Sequence, residues 1–396
     1  TPVAINDAGQ IVGITTRATG NGTFLWDSVN GLQDIPGVPG PQDTLPADIN
    51  NGGVIVGATS GSTNSAVLWV PPSGPYGILP MPAGTTGSGA GAISNNNLVL
   101  GFAVPTADPF AFDLNAGGPA LPVVDPAGLL GLATADDAND AGTIVGATDG
   151  IVAYRLAPGT AAQALGSLPG HAQSIATAVN DLGHVIGNSA PVLGNAPTSG
   201  FFWPGSGALQ DLGTLRATDN EVTALGMNDA DQVVGTSGAA GLGFRAFLWD
   251  PVNGIRDLND LIDPTDPLGQ TVTLFAGVDI NDSGQIIATG FFNGLGQTFL
   301  LNPVTAGPPA PAVAVDFSGP LIALTDTSGG AATFAGAALD DVFTGQVIVG
   351  ASETGSAFVP PTGYYFPSET FFANADDGNT GVSTQGSARS MEISSV

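Results

Sequence analysis

The 396-residue chain carries 34 Asp and Glu residues against six Lys and Arg residues, a formal net charge of -28, and it contains no Cys. This charge repels phosphates and anionic lipids, so we expect neither nucleic acid nor an acidic membrane as a partner. The lack of Cys excludes disulfides, thiolate metal sites and cysteine nucleophiles. No apolar run reaches the roughly 20 residues that a membrane-spanning helix needs.

Hydrophobic residues make up 43% of the chain, which also has 59 Gly and 31 Pro. The Val, Ile, Thr and Phe residues lie in short runs separated by Gly, Asn and Asp, a pattern typical of strands and tight turns. The sequence starts at Thr1 and enters its first repeat almost at once. We therefore expect an all-β protein, secreted or at the cell surface, from which a signal peptide has been removed.

One ten-residue pattern, A-I-N-D-x-G-Q-I-V-G, recurs seven times at spacings of about 41 to 53 residues. The copies are AINDAGQIVG from Ala4, DINNGGVIVG from Asp48, AISNNNLVLG from Ala92, DANDAGTIVG from Asp137, AVNDLGHVIG from Ala178, GMNDADQVVG from Gly226 and DINDSGQIIA from Asp279. The IND-x-G part predicts a hairpin turn, with Asn and Gly supplying the positive φ that tight turns require.

Two further signatures follow most copies of this pattern. The first is a run such as TFLWD from Thr23 or AFLWD from Ala246, and the second is a segment such as GLQDI from Gly31. All four tryptophans stand at one repeat position, which predicts packing between sheets over ligand stacking: Trp26, Trp69, Trp203 and Trp249. Four short strands per unit predict a β-propeller of seven four-stranded blades, with eight blades as the alternative.

The repeat divides the chain into four parts. We predict a seven-repeat propeller over 1–301, a Pro-rich connection over 302–331, a degenerate eighth repeat over 332–366 and a Gly/Ser/Thr-rich tail over 367–396. The tail has the composition of a disordered segment. If the tail is ordered, we expect an unpaired blade edge of this chain or of a neighbouring molecule to hold it.

The combined pattern resembles the bacterial extracellular repeat family named HAF after the triplet that precedes the Trp. The triplet is RAF at Arg245, GTF at Gly22, SGF at Ser199, QTF at Gln297 and SAF at Ser356. The resemblance covers residues 1–301 well and 332–366 loosely. It implies an exported, repeat-built β protein and supplies no catalytic residue, and the histidine of the family name is absent from every copy here.

Three Asp-x-Asn pairs place side-chain oxygens two residues apart before a Gly, a spacing found in calcium loops. They are Asp48 with Asn50, Asp137 with Asn139, and Asp279 with Asn281. None continues to the further carboxylates of a complete loop, so turn formation is the main interpretation and calcium the alternative. We expect no other cofactor.

The chain has only two histidines, His171 and His184, too few for a three-histidine metal site. We expect both at the surface or in turns, and the sequence indicates no catalytic residues. The leading hypothesis is a non-catalytic extracellular structural or adhesive propeller that binds itself or surface polymers and assembles by strand or tail addition. The alternatives are a carbohydrate-binding module and a glycosidase or lyase with an Asp pair.

Overall fold

The structure is a computed structural model that describes residues 1–17, 20–37, 43–60, 64–71, 77–262 and 271–304, and the backbone of six strands between 341 and 395. Nearly all regular structure in this part of the chain is β. The helical element described is a single 3₁₀ turn, Leu258–Leu261. No helix among the described residues has the length and apolarity to cross a membrane.

Seven antiparallel sheets form the blades, each built on four consecutive strands, and the seventh sheet has an additional fifth strand. The first four blades contain β1 (Pro2–Ile5), β2 (Ile11–Arg17), β3 (Gly20–Asp27) and β4 (Gly31–Ile35); β5 (Asp43–Ile49), β6 (Ile55–Ser60), β7 (Ala66–Trp69) and β8 (Gly77–Ile78); β9 (Gly87–Ile93), β10 (Leu98–Val104), β11 (Pro109–Asp113) and β12 (Leu121–Pro122); β13 (Asp137–Ala138), β14 (Ile144–Ala147), β15 (Ala153–Leu156) and β16 (Gln163–Gly166). The last three contain β17 (Gln173–Val179), β18 (Val185–Ala190), β19 (Ser199–Trp203) and β20 (Gln210–Asp211); β21 (Glu221–Met227), β22 (Val233–Ala239), β23 (Gly243–Asp250) and β24 (Gly254–Asp257); β25 (Val272–Ile280), β26 (Ile286–Phe292), β27 (Leu295–Val304) and β28 (Asp341–Ile348).

These blades form a ring, so the prediction of a seven-bladed β-propeller is confirmed. In the first blade, the first strand ends at the Ile of IND and the second begins at the I-V-G segment. The third strand contains Trp26, and the fourth is GLQDI. The first strand of each blade lies nearest the axis, because the turns that follow these strands meet around one central depression.

Apolar side chains on successive strand residues point to opposite faces of a blade, so each blade packs against both of its neighbours. Ile11 packs with Ile287 of the seventh blade, whereas Val12 packs with Ile55 of the second. The seven apolar clusters in the described residues correspond to the seven junctions between blades. Each tryptophan is at most 5% exposed and lies in one of these clusters.

The ring closes between the seventh blade and the first without a shared sheet, since no strand of β1–β4 belongs to the sheet of the seventh blade. The junction consists of an apolar cluster that joins Ile5 and Trp26 to Ile287 and Leu300, together with hydrogen bonds between the two adjacent blades. The ring therefore closes by the same kind of contact that joins the other blades.

A β-bulge interrupts the first strand of most blades, for example between Ala224 and Gly226. Beside it, the closing Gly of the repeat lies very near a carbonyl of that strand: a Cβ on Gly235 would be 2.0 Å from the Thr223 oxygen and 2.9 Å from the Phe247 ring. The seventh blade has Ala288 at this position and carries a second bulge. This Gly is thus required by close approach and not by its φ angle.

The seventh blade continues beyond its fourth strand. β28 pairs with β27, and β33 (Ala388–Ser395) pairs with β28 over eight residue pairs to make a fifth strand. Four short strands lie between them: β29 (Gly350–Ala351), β30 (Thr370–Phe371), β31 (Ala373–Asn374) and β32 (Ser383–Thr384). Most of the predicted Pro-rich connection and eighth repeat lies outside the described residues, at 305–340 and 352–366.

Candidate functional site at the axis of the ring

Seven turns, one from each blade, surround the axis at one end of the ring. Positive φ occurs at the fifth position of the turn motif in every blade: Gly9, Gly53, Asn97, Gly142, Gly183, Asp231 and Gly284. The Asn of IND does not adopt it. The turns therefore need the Gly for backbone geometry, and the Asn for another reason.

That reason is a contact between blades. The Asn281 side chain accepts a hydrogen bond from the Gln285 N–H at 2.9 Å and donates one to the Asn6 carbonyl of the first blade at 2.8 Å. Six turns contain such an Asn, buried to 6% exposure or less: Asn6, Asn50, Asn139, Asn180, Asn228 and Asn281. The third blade has Ser94 instead, and there Asn96 donates to the Asp140 carbonyl of the fourth blade.

A second ring of hydrogen bonds surrounds the first. The main-chain N–H of each residue after the Asn donates to the side chain of its equivalent in the next blade, as from Asp282 to Asp7 at 2.8 Å. We call these residues the turn ring: Asp7, Asn51, Asn95, Asp140, Asp181, Asp229 and Asp282. Burial together with neighbouring carboxylates raises the pKa of Asp140, Asp229 and Asp282.

Deeper along the axis lie three carboxylates from the first strands of blades two, four and seven. We call Asp48, Asp137 and Asp279 the channel triad. Each side chain accepts the N–H of its own next residue and an N–H of the following blade. The bonds between blades join Asp48 to Ile93 at 2.8 Å, Asp137 to Val179 at 2.9 Å and Asp279 to Ile5 at 3.0 Å.

The triad is surrounded by protein, although its side chains keep some accessible surface, and Asp137 and Asp279 line the space at the axis. Burial raises the pKa of Asp48 to about 6. Burial, assisted by the neighbouring triad carboxylates, raises the pKa of Asp137 and Asp279 to about 7. Three acids that exchange protons near neutral pH therefore lie together at the axis.

Asp136 of the fourth blade directly precedes Asp137 of the triad. Its carboxylate accepts a 2.6 Å hydrogen bond from the Thr134 hydroxyl, and burial raises its pKa to about 6. Tyr154 donates to the Thr134 carbonyl, and burial together with Asp136 raises the pKa of the Tyr154 hydroxyl. Asp136 differs from the triad because no hydrogen bond to a neighbouring blade is described for its carboxylate.

The turns enclose a depression of about 180 Å³ with a mainly polar lining. Its lining presents the turn ring, the buried Asn side chains, and Asp137 and Asp279 of the channel triad. A site of this size and polarity can hold several waters or a small polyol or cation. Its side-chain oxygens already accept hydrogen bonds from the backbone, so they mainly hold adjacent blades in position.

The structure brings together only part of the predicted calcium residues. Asp48, Asp137 and Asp279 meet at the axis, whereas their Asn partners use the amide oxygen within their own turns: Asn50, Asn139 and Asn281. Among the described residues, no group of three or more acidic or His side chains is arranged to hold a metal ion. Calcium binding stays a prediction.

The two histidines lie apart from the axis. His184 contacts the Asp231 carboxylate at 2.7 Å, and His171 contacts the Ser189 hydroxyl at 3.2 Å. Ser189 is fully buried and donates to the Gln173 carbonyl, so this contact does not expose a nucleophile. Both pairs stabilise loops or turns on blades five and six.

Sequence reasoning missed the turn ring and the role of the Asn side chains. One signal was available, because the IND motif keeps an Asn in six copies while a tight turn needs positive φ at one position only. The triad was identified as three separate Asp residues, but its convergence requires the ring geometry.

No known family profile matches the chain, and no curated protein sequence matches it. Solved structures to which it is similar include selenomethionine-substituted virginiamycin B lyase from Staphylococcus aureus, with 10% identity, a TM-score of 0.47 and coverage of 72% of this chain and 90% of that chain. A streptogramin B lyase aligns with 13% identity, a TM-score of 0.42 and coverage of 71% and 90%. The Myceliophteria thermophila Cps50 (Swd1) β-propeller domain aligns with 10% identity, a TM-score of 0.38 and coverage of 75% and 95%.

Proposed function

We propose that this chain is a non-catalytic, exported structural or adhesive propeller that assembles with further copies of itself by strand addition. The observation that carries the proposal is the fifth strand of the seventh blade. β33 pairs with β28 in a continuous antiparallel register from Asp341↔Ser395 to Ile348↔Ala388. The outer edge of this blade therefore accepts an added strand.

The same edge can accept the C-terminal strand of another copy. About 40 residues separate β28 from β33, and an extended chain of that length spans on the order of 100 Å. A neighbouring molecule lies well within this reach. Exchange of an identical element between copies is a low-cost route to assembly, because every contact of the closed form is made again in the exchanged form.

The interior of the ring supports a scaffold role. The repeated polar residues of the turn ring and the channel triad donate or accept hydrogen bonds between blades, as Asp279 does with Ile5. These contacts keep the ring rigid while the edge of the seventh blade remains the place where chains can join. The high negative charge favours cationic or neutral surroundings over phosphate-rich ones.

Cysteine cross-linking tests strand exchange directly, because the natural chain has no Cys. Phe343 and Ile393 are paired across β28 and β33. One copy carries Phe343→Cys, a second with a different tag carries Ile393→Cys, and the two are mixed under oxidising conditions. We expect a disulfide-linked heterodimer, since directly opposed residues have Cβ atoms about 5 Å apart.

The matched control keeps Phe343→Cys and moves the second cysteine to Ser395, which pairs with Asp341. This pair should cross-link far less. A double variant with both cysteines in one chain reports pairing within a molecule. If the double variant cross-links internally while the mixed single variants stay monomeric, strand exchange is excluded. Size-exclusion chromatography with light scattering over a concentration series gives the oligomeric state independently.

A second candidate function is acid-base hydrolysis or elimination on a carbohydrate, with a pair of Asp residues in the channel. The raised pKa values of Asp137 and Asp279, which both line the depression, favour it, since a general acid needs a proton near neutral pH. Incubation with a panel of acidic and neutral polysaccharides tests this function. Product release that Asp137→Asn abolishes would support it, and the absence of product from every polysaccharide in the panel would reject it.

A further inference from the structure

The channel triad occupies a repeat position at which the other four blades have a small residue. Where blades two, four and seven have Asp48, Asp137 and Asp279, the others have Ala4, Ala92, Ala178 and Gly226. The three acids therefore join blade two to three, four to five and seven to one. The last of these bonds lies at the junction that closes the ring.

The triad carboxylates face one another without a compensating positive charge in the described part of the chain. The described ion pairs of Arg216, Arg245 and Arg256 involve other acids. Elements packed against the triad carry mainly acids: Asp27, Asp43, Glu221, Asp250 and Asp260. Arg245 pairs with Asp257, the amino group of Thr1 donates to the Ile14 carbonyl, and the Arg155 guanidinium lies beside Gly183 in the turn of the fifth blade. Asp136 adjoins Asp137, and the turn ring adds Asp7, Asp140, Asp181, Asp229 and Asp282. The groups closest to the triad are thus acids, so ionisation places like charges together.

From this arrangement we infer that the channel triad is a pH-sensitive lock, which holds the ring most tightly when its carboxyls are protonated and weakens as they ionise. The raised pKa values give the range. An Asp ordinarily titrates at 3.8, whereas Asp137 and Asp279 titrate at about 7 in the folded ring. Between these values the folded state holds more protons than the unfolded chain, so stability falls as pH rises and levels off above about pH 8.

The test compares the melting temperature of the wild-type protein from about pH 4.5 to pH 8.5 with that of the triple variant Asp48→Asn, Asp137→Asn and Asp279→Asn. An Asn keeps one acceptor and cannot ionise. We expect the wild-type melting temperature to fall by about 5 °C more than that of the variant across this range. At pH 4.5 the melting temperature of the variant is below that of the wild type, because each site loses one acceptor. Its melting temperature then changes less with pH.

A matched control removes three exposed carboxylates outside the channel, with Asp113→Asn, Asp149→Asn and Asp211→Asn. It changes net charge equally, and we expect it to keep the wild-type slope. If the melting temperature of the triad variant falls with pH as steeply as that of the wild type, the inference is wrong.

Infrared spectroscopy of the folded wild-type protein gives an independent reading if the triple variant does not fold. Carboxylic-acid absorption that persists to about pH 6 and is reduced in the single variant Asp137→Asn supports the lock. Complete ionisation below about pH 5 rejects it. All melting curves are recorded at one protein concentration, because association would shift the melting temperature. The infrared measurement reports protonation directly, so the lock and strand exchange can fail separately.

Discussion

Asn281 lies at the junction that closes the ring, so its replacement by Ala tests whether the Asn contacts stabilise the propeller. Its side chain is 3% exposed, accepts the Gln285 N–H and donates to the Asn6 carbonyl. Truncation leaves the Gln285 N–H without its acceptor, at a cost of about 2 kcal/mol. The Asn6 carbonyl keeps its bond from the Gly9 N–H, so losing the second bond costs about 1 kcal/mol.

We therefore expect Asn281→Ala to lower the free energy of unfolding by about 3 kcal/mol. Urea denaturation followed by tryptophan fluorescence measures this loss. With an m value of about 3 kcal/mol/M, the midpoint moves down by about 1 M. Asn195→Ala, in an exposed loop, is the control and should change stability by less than about 0.5 kcal/mol. If Asn281→Ala loses no more than this control, the bridging role assigned to the Asn side chains is wrong.

Three further substitutions test the turns and the bulge. Gly235→Ala should cost about 3 kcal/mol in urea denaturation, because its Cβ would lie 2.0 Å from the Thr223 oxygen, and a loss below about 1 kcal/mol would contradict this. Gly91→Ala places a Cβ with no atom within 4 Å, so its melting temperature should be unchanged or slightly higher, and a large drop would contradict the described geometry. Ser94→Asn supplies the side-chain amide that the turn of the third blade lacks. We expect its bond to the Asn139 carbonyl to raise the free energy of unfolding by about 1 kcal/mol. An unchanged urea midpoint would show that the Asn96 side chain already provides this contact between blades.

The repeat predicted seven four-stranded blades with eight as the alternative, and the structure has seven. Spacing and local pattern report which residues form strands and turns, and the Gly of IND-x-G has the predicted positive φ at Gly9 and Gly284. These are local properties of the backbone. The confirmed predictions, the strands and the turns, depend on residues that are close together in the chain.

The contacts between blades could not be predicted in the same way. Asn281 and Asn6 are far apart in sequence, and their hydrogen bond exists only because the ring closes. The same holds for the channel triad, whose members come from three blades. The sequence does not explain the Gly of I-V-G. The bulge that brings Thr223 against Gly235 leaves no distinct sequence pattern.

At the axis, the junction between the seventh blade and the first uses the same turn-ring hydrogen bond as the other junctions. Asp282 binds Asp7 across the seventh and first blades as Asp229 binds Asp282 within the continuous chain. A circular permutant of the seven blades, with new termini in an exposed loop between two other blades, should therefore build the same ring. The contacts between neighbouring blades set the order of the blades around the ring, wherever the termini are placed.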